Sequence, residues 1–424
     1  MTTNVIGSLV SPAGIVSSIQ SRRHPTWPER LQASIASIGL DVPGCGHPRD
    51  QPIPCGGAAW EDVAHTHLLA TAEGAERYAA ADLLGEERIW ATARELDGEC
   101  LDPERYPRCS AREYARPECP LVPFDSEARI RWTRGLDLVS QQEIWLPAVM
   151  ACYGLADVTP AEKFTYRIST GFAVHTDPVE AAVLGIFEVI ERDMIATTWL
   201  QQLPLPLLDP GLFSDETSEL IAWCRDRFTE IHLFDATTDL GVPTVYCLVT
   251  ADHDASGCRS VGASTGRTLG QAVQSALFEG FLAKDMLRYA KDVPNLAHFS
   301  DVSDGSRYMG VAERARAFDF LLEQPRTATA RHSSLPQDPD QALSRLTEIL
   351  AAAGARPVVV DRTPSELADV GLHAVNVVIP DLQPMSLLPF AQFKGHPRLY
   401  EAPRRMGYRV LSEKELNPWP QPFG

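Results

Sequence analysis

Apolar residues recur at two periods along the chain, and the alternation of the two predicts interleaved helices and strands. Residues 13–20, AGIVSSIQ, read as a short strand, and the Pro-, Arg- and Gly-bearing stretch 21–50 as loop or short helix. From about 60 to 80, Val63, Leu68, Leu69, Ala72 and Ala75 fall at helical spacing. Residues 99–126 are rich in Pro, Arg, Glu and Cys without a period, and read as a long surface excursion. IRWTRGLDLVSQQEIWLPAVMACYG then gives two strand-like runs around a turn. The strongest helix signal is TDPVEAAVLGIFEVIERDMIATTWLQQL, where Asp177 suits the N-cap, Pro178 the first helical position and Glu180 a capping box. IHLFDATTDLGVPTVYCLVTADHDASGCRSVGAST follows as a hairpin of β-branched runs. A helix is expected from about Leu269 to Tyr289, and a polar linker or long loop over 325–340. LSRLTEILAAAGARPVVVDRT reads as helix, glycine stop and buried-type strand, and HAVNVVIPDLQP as a strand ended by Pro380. The class is α/β, a mixed α+β chain, with no short-period repeat.

Composition narrows this little. With 424 residues, 44% hydrophobic and 22% charged, the chain has material for one large core or two ordinary domains. A net charge of −18 argues against a nucleic-acid or anionic-membrane surface, which needs clustered Lys and Arg. A nucleotide could still bind where a local cation offsets its charge. Nine cysteines, an odd number without a CxxC pair, read as reduced thiols, and Cys100, Cys109 and Cys119 are spaced too widely for a zinc knuckle. No signal-peptide pattern and no apolar run of ~18 residues appear, so a soluble, cytoplasmic protein is expected.

The informative chemistry is a repeated pentapeptide. EGAER places Glu73, Glu76 and Arg77 on one helix, and EVIER places Glu188, Glu191 and Arg192 on another. Residues i and i+3 share a helix face, so each helix presents two carboxylates side by side. One such pair is commonplace as a solvated, locally ion-paired face. The second sits among Phe187, Ile190 and Ile195, where carboxylates without partners would be costly to bury. An ordered pair of cations would satisfy them, and four hard oxygen ligands suit Mg²⁺, which often shares its shell with phosphates. Arg77 and Arg192 would then face those phosphates in part. Glu180 lies eleven residues, about three turns, before Glu191, and reaches the nucleotide or merely caps its helix. There is no Walker lysine loop, no GxGxxG, no GxSxG and no HExxH. ASTGRTLG, residues 263–270, is a weak glycine-containing loop, and His65 and His67 read as surface or local packing residues.

These residues resemble the YcaO family. STGFAVHTDPVEAAVLGIFEVIERD is similar to that family's Ser-x-Gly turn and ExxER helix, and EGAERY to its other ExxER. The resemblance runs on through SVGASTGRTLGQAVQSALFEGF, GARPVVVDRT and AVNVVIPDLQPM to HPRLYEAPRRMGY, covering about residues 12–424. It implies a YcaO-type fold, with an N-terminal strand and lead-in over 1–50 and a catalytic domain over 51–424. An ATP and Mg²⁺ site would lie between the helices bearing the paired ExxER motifs. It further implies phosphorylation of a peptide-backbone amide oxygen after a nucleophile has added to the amide carbon. Glu73, Glu76, Glu188 and Glu191 would hold Mg²⁺, and Ser169, Glu180 and Arg192, with Arg77, would contact ATP. The sequence departs from the family at Leu69, where a serine is usual and Thr71 is a candidate substitute. It departs again at Thr170, often asparagine, at Ser275, where an arginine is expected, and at Leu282, where a glutamine is. These departures leave the metal carboxylates intact and bear on nucleotide affinity.

Three outputs follow. The first is a cyclodehydratase forming thiazolines or oxazolines from Cys, Ser or Thr of a ribosomally made precursor peptide. The second is a YcaO enzyme making a thioamide or amidine, or assisting methylthiolation of a ribosomal protein. The third is a non-catalytic peptide-binding scaffold. The chain ends on NPWPQPFG, where Pro418, Pro420 and Pro422 alternate and stiffen the backbone. Read by itself it is a solvated tail or a docked one; within the family, a PxPxP end resembles the azoline-forming members, where it reaches the active site. Pro422 and Gly424 are therefore expected at the reacting peptide, and residues added after Gly424 should impair cyclisation more than ATP binding. The resemblance also implies an E1-like or leader-peptide-binding partner, a flavin-dependent azoline oxidase nearby in the pathway, and a possible homodimer.

Overall fold

The structure is a computed structural model that describes residues 7–24, 27–38, 54–82, 88–289, 292–299, 302–323 and 334–423. The strands are β1 (Val16–Arg22), β2 (Leu31–Ile38), β3 (Pro54–Trp60), β4 (Ile89–Ala91), β5 (Ile130–Asp137), β6 (Gln142–Pro147), β7 (Phe172–His175), β8 (Glu230–Asp235), β9 (Thr244–Thr250), β10 (Arg259–Thr265), β11 (Val358–Asp361) and β12 (His373–Val378). Among the described residues the α-helices longer than one turn are α1 (Val63–Ala79), α2 (Pro178–Gln201), α3 (Asp215–Arg225), α4 (Leu269–Leu287), α5 (Asp304–Met309), α6 (Pro339–Ala352) and α7 (Arg398–Arg405). The described residues divide into two compact units, and the dividing line cuts α2 between Val189 and Ile190.

The first unit holds residues 1–106, 124–189 and 338–380. Its larger sheet runs β4-β5-β11-β12-β7, with β6 also paired to β5, and every pairing is antiparallel. Trp132, Leu146, Phe164, Val358 and Val360 form the centre of its core, nearly inaccessible to water. Burying such side chains stabilises the unit by roughly 1.5–3 kcal/mol each. A smaller antiparallel sheet has the order β1-β2-β3. Its central strand corrects the expectation of loop or short helix over 21–50. LQASIASI is built from small and β-branched residues that fit a pleated, buried surface, which outweighs the Pro and Arg before it.

The second unit holds residues 107–123, 190–337 and 381–424. Its sheet has the order β10-β9-β8, and β9 is buried along its whole length. α4 lies against β10, with Ala272, Val273, Ala276, Leu277 and Phe281 turned inward. Within this unit residues 107–123 run largely along the surface, as expected, but are anchored at a few buried positions. Cys109, Ser110, Glu113 and Leu121 are buried. Ser110 and Glu113 make a capping box on the single turn Ala111–Tyr114. The Glu113 carboxylate then accepts the backbone N–H of Gln392 at 2.6 Å and of Lys394 at 2.8 Å. A polar side chain, Glu113, is thus held inside by satisfying another segment's backbone, a use that periodicity does not reveal. The eight described cysteines form no disulfide, and the Cys119 thiol donates to the Leu121 carbonyl. No helix among the described residues is long and apolar enough to cross a membrane.

His396 gives this unit an acid-sensitive point. Burial pushes its pKa down from 6.5 to about 4, against a hydrogen bond to the Asp381 carbonyl and with the charges of Arg108 and Arg398 lowering it further. Such an imidazole gains a proton on unfolding wherever the pH lies between the folded and unfolded values. The stability it protects is therefore present above about pH 6.5 and is lost as the pH falls towards 4. Urea unfolding at stepped pH is expected to weaken across that window by on the order of 3 kcal/mol. In His396→Gln the slope should flatten; an unchanged slope would assign the acid sensitivity to another group.

Candidate functional site

α1 starts at the Asp62 cap, whose carboxylate accepts the His65 N–H at 2.8 Å. It buries a stripe of small residues, Thr66, Ala70, Thr71, Gly74, Ala75 and Ala79, which lets it lie close to its sheet. At 100° per residue, Glu73 and Glu76 stand about 60° apart beside that stripe, with Glu73 next to Thr66. Glu73 Oε2 accepts the Gly56 N–H at 2.6 Å, and its Oε1 meets Arg77 Nη2 at 3.2 Å. Burial by itself would lower the Arg77 pKa. The charges of Glu73, Glu76 and Glu188 outweigh it, with a smaller contribution from Cys55, and hold the guanidinium above its ordinary range. Three carboxylates from two helices thus act on one half-buried cation.

The Glu188 carboxylate accepts the Gly171 N–H at 2.9 Å. Gly171 has φ +87°, and its own carbonyl accepts the Val377 N–H at 2.7 Å. A side chain there would enter the Val377 carbonyl. Gly185 of α2 stands beside both residues, again with no room for a Cβ. Glycine at 171 and 185 therefore lets the turn, β12 and α2 approach closely enough for Glu188 to reach that amide.

In the second unit, Glu191 Oε2 accepts the Thr265 N–H at 3.1 Å, and Oε1 pairs with Arg192 at 2.6 Å. Two residues along β10, the Ala263 N–H is taken by Glu279 of α4 at 2.7 Å. β10 is an edge of its sheet, and residues two apart present their amides on the same side. Two carboxylates thus take the place that a further strand would hold. Glu279 was missed by the sequence reading, which singled out its neighbours Ser275 and Leu282. Its signal was an acid on the otherwise apolar face of α4.

The remaining expected residues fall as follows. Ser169 and Glu180 are half-buried. Asp177 accepts the N–H groups of Val179 at 2.9 Å and Glu180 at 3.4 Å, as a cap should. The Thr71 hydroxyl donates to the His67 carbonyl at 2.7 Å, so it is turned back along its own helix. Leu69 is partly exposed, Ser275 exposed and Leu282 half-buried. Thr170 offers its carbonyl to Asn376 Nδ2 at 3.1 Å, an interaction of backbone rather than side chain. Pro422 is buried, and Gly424 lies outside the described residues.

The tail packs into the second unit. Trp199 Nε1 donates to the Trp419 carbonyl at 3.0 Å, and the Asn417 N–H to the Leu200 carbonyl at 2.9 Å. The Phe423 ring meets Tyr246 edge-on, centroids 5.5 Å apart. The carbonyls of Gln421 and Phe423 lie against Gly305 of α5, where a side chain would displace them. Proline has already restricted this segment in the unfolded chain, so docking it costs little further entropy.

Among the described residues, no three acidic, imidazole or thiol side chains are gathered at metal-ligand spacing. Each of Glu73, Glu188 and Glu191 instead rests one oxygen on a backbone amide. In kind, the donors suit magnesium within each unit taken by itself: carboxylate oxygens oriented by charge-assisted hydrogen bonds, Glu73 and Glu188 with Arg77 in the first and Glu191 with Arg192 in the second.

The family described as YcaO cyclodehydratase, ATP- and Mg²⁺-binding, matches residues 62–383. A curated relative, an uncharacterized protein in the tfuA 3′ region of Rhizobium leguminosarum bv. trifolii, is 30% identical over 127 residues, 28% of this chain and 29% of its own. A heterocyclase solved in complex with substrate and cofactor superposes at TM-score 0.83, with 22% identity, over 99% of this chain and 57% of its own. YcaO from Methanopyrus kandleri, bound with AMPPCP and Mg²⁺, gives TM-score 0.62 at 18% identity over 87% of this chain and 86% of its own. The E. coli microcin synthetase McbBCD complex gives 0.65 at 15% identity, covering 95% and 96%. The chain spans little more than half the length of the heterocyclase and under a third of the curated relative. The structural likenesses establish the mixed α/β fold. The family match, from one residue before α1 to the Gln383 that follows β12, takes in both ExxER helices, and the chain belongs to the YcaO family.

Proposed function

We propose that the protein is an ATP- and Mg²⁺-dependent cyclodehydratase that forms thiazolines or oxazolines from Cys, Ser or Thr of a ribosomally made precursor peptide. The observation that carries this reading is the convergence of Glu73, Glu76 and Glu188 on Arg77 in a chain of this family. When bound, magnesium-ATP supplies the phosphoryl group that turns a backbone amide oxygen into a competent leaving group. Glu73, Glu76, Glu188 and Glu191 hold the metal through carboxylate oxygens. Arg77 and Arg192 neutralise phosphate charge, and Ser169 and Glu180 orient the nucleotide. Pro422 and Gly424 place the tail beside the reacting residue of the peptide. An E1-like or leader-binding protein delivers that peptide in the cytoplasm, and a flavin-dependent oxidase acts on the azoline afterwards.

The test is phosphate release by the purified chain with Mg-ATP, a candidate partner and a precursor peptide, followed by mass spectrometry. Loss of one water per modified Cys, Ser or Thr supports the reading. Exchange of oxygen for sulfur would replace it with thioamidation. No ATP consumption with any partner would leave a binding scaffold.

A further inference from the structure

Asp193 follows Arg192 directly and is completely buried in α2. Its carboxylate accepts the Gln383 N–H at 2.8 Å. It also receives Arg398, which donates from Nε at 3.0 and 3.2 Å and from Nη2 at 2.8 Å. Arg398 reaches on to Asp239 through Nη1 at 2.8 Å, and Asp239 meets Arg405 at 3.4 Å. Two aspartates and two arginines thus form a chain of balanced charge, and the charges of Asp193 and Asp239 hold the enclosed Arg398 guanidinium protonated against its burial. Arg398 lies beyond residue 383, where the family match stops.

The position of Asp193 on its helix gives the cluster a purpose. Glu191 and Asp193 are two residues apart, so their side chains leave α2 about 200° from one another. Glu191 is tied to β10 on one side, and Asp193 to Gln383 and Arg398 on the other. A helix held at two nearly opposite points cannot turn about its axis. A turn of about 10° would move a side-chain tip ~6 Å from that axis by about 1 Å. Misplacement of that size is enough to cost a site on the order of 100-fold. A lysine could keep the charge at 398 but not the planar fork that fixes the Asp193 carboxylate in two directions.

We propose that Arg398 is a positioning residue for the nucleotide site: by clamping Asp193 it sets the rotation of α2 and so the placement of Glu191 and Arg192. This rests on the nucleotide reading of those two residues. The experiment is titration of the purified full chain with a fluorescent ATP analogue at stepped MgCl₂, well below the unfolding temperature, with circular dichroism to verify folding. Arg398→Lys is expected to stay folded, to bind the analogue about 10-fold more weakly and to need more Mg²⁺ for half-saturation. A purely structural role would lower the unfolding temperature and leave the affinity of the folded protein as it was. Folded Arg398→Lys that binds like the parent overturns the clamp. If Arg398→Lys does not fold, Asp239→Asn decides, since it frees one arm of Arg398 and keeps Asp193 paired: about 3-fold weaker binding supports the clamp, and equal binding overturns it. A parent chain that binds no Mg-nucleotide removes the nucleotide reading and the clamp's role with it, whereas equal binding by parent and variants removes the clamp alone.

Discussion

Glu188→Gln should abolish ATP turnover while the protein stays folded. The amide oxygen of glutamine can still accept the Gly171 N–H that now meets Glu188 at 2.9 Å. Local geometry therefore has a replacement acceptor, and only the charge is lost. A neutral amide is a far poorer magnesium ligand than a carboxylate. Changing the residues that merely support a metal ligand costs 10- to 100-fold, so removing a ligand's charge should cost at least about 100-fold in phosphate release. Glu191→Gln should behave alike, since glutamine can accept the Thr265 N–H, although Arg192 then loses its ion pair. The measurement is phosphate release at saturating ATP beside a thermal melt of each variant. Turnover within about tenfold of the parent, in a folded variant, would strike both residues from the metal set.

Among the described glycines of the first unit, Gly171 is expected to give the most destabilising alanine variant. Two effects add. The backbone at φ +87° is one that alanine adopts at a cost of roughly 1–2 kcal/mol. The new Cβ would also overlap the Val377 carbonyl oxygen, which is backbone of a central strand and cannot swing aside. Overpacking of that kind costs typically another 1–3 kcal/mol. Gly371→Ala separates the two effects, because Gly371 has φ +73° with open space where its Cβ would go. Urea unfolding should therefore show about 1–2 kcal/mol lost in Gly371→Ala and roughly twice that in Gly171→Ala. Whatever Gly171→Ala remains folded should also bind nucleotide poorly, since the amide that orients Glu188 has moved. Equal losses in the two variants would mean that β12 yields to the extra methyl, and that close packing at Gly171 does not set Glu188.

The helices were legible where period and cap agreed. α2 begins at Pro178 behind the Asp177 cap, as its sequence predicts, and α4 ends within two residues of expectation. β2 was not legible, because LQASIASI lacks the large alternating residues that mark a strand and is recognisable only once β1 and β3 flank it. The buried anchor within 107–123 was not legible for a related reason. Its Pro, Arg and Glu look like solvent-facing composition, yet Glu113 is inside because two backbone amides of a distant segment need an acceptor. Burial of a charge is decided by its partners, and partners far apart in sequence leave no local trace.

The sequence by itself determined that Glu73 and Glu76, and Glu188 and Glu191, stand as pairs one turn apart, because helical spacing is a local property. It also determined a stiff tail, since proline restricts φ wherever it occurs. Only the tertiary structure decided which amides orient those carboxylates: Gly56 for Glu73, Gly171 for Glu188 and Thr265 for Glu191. It also decided that Glu279 joins Glu191 along β10, that Thr71 faces its own helix, and that Arg398 grips Asp193 from 205 residues away. The reason is the range of the interactions. Helix spacing and proline stiffness act within a few residues, whereas a carboxylate's hydrogen-bond donors are chosen by whatever the folded chain brings within 3 Å.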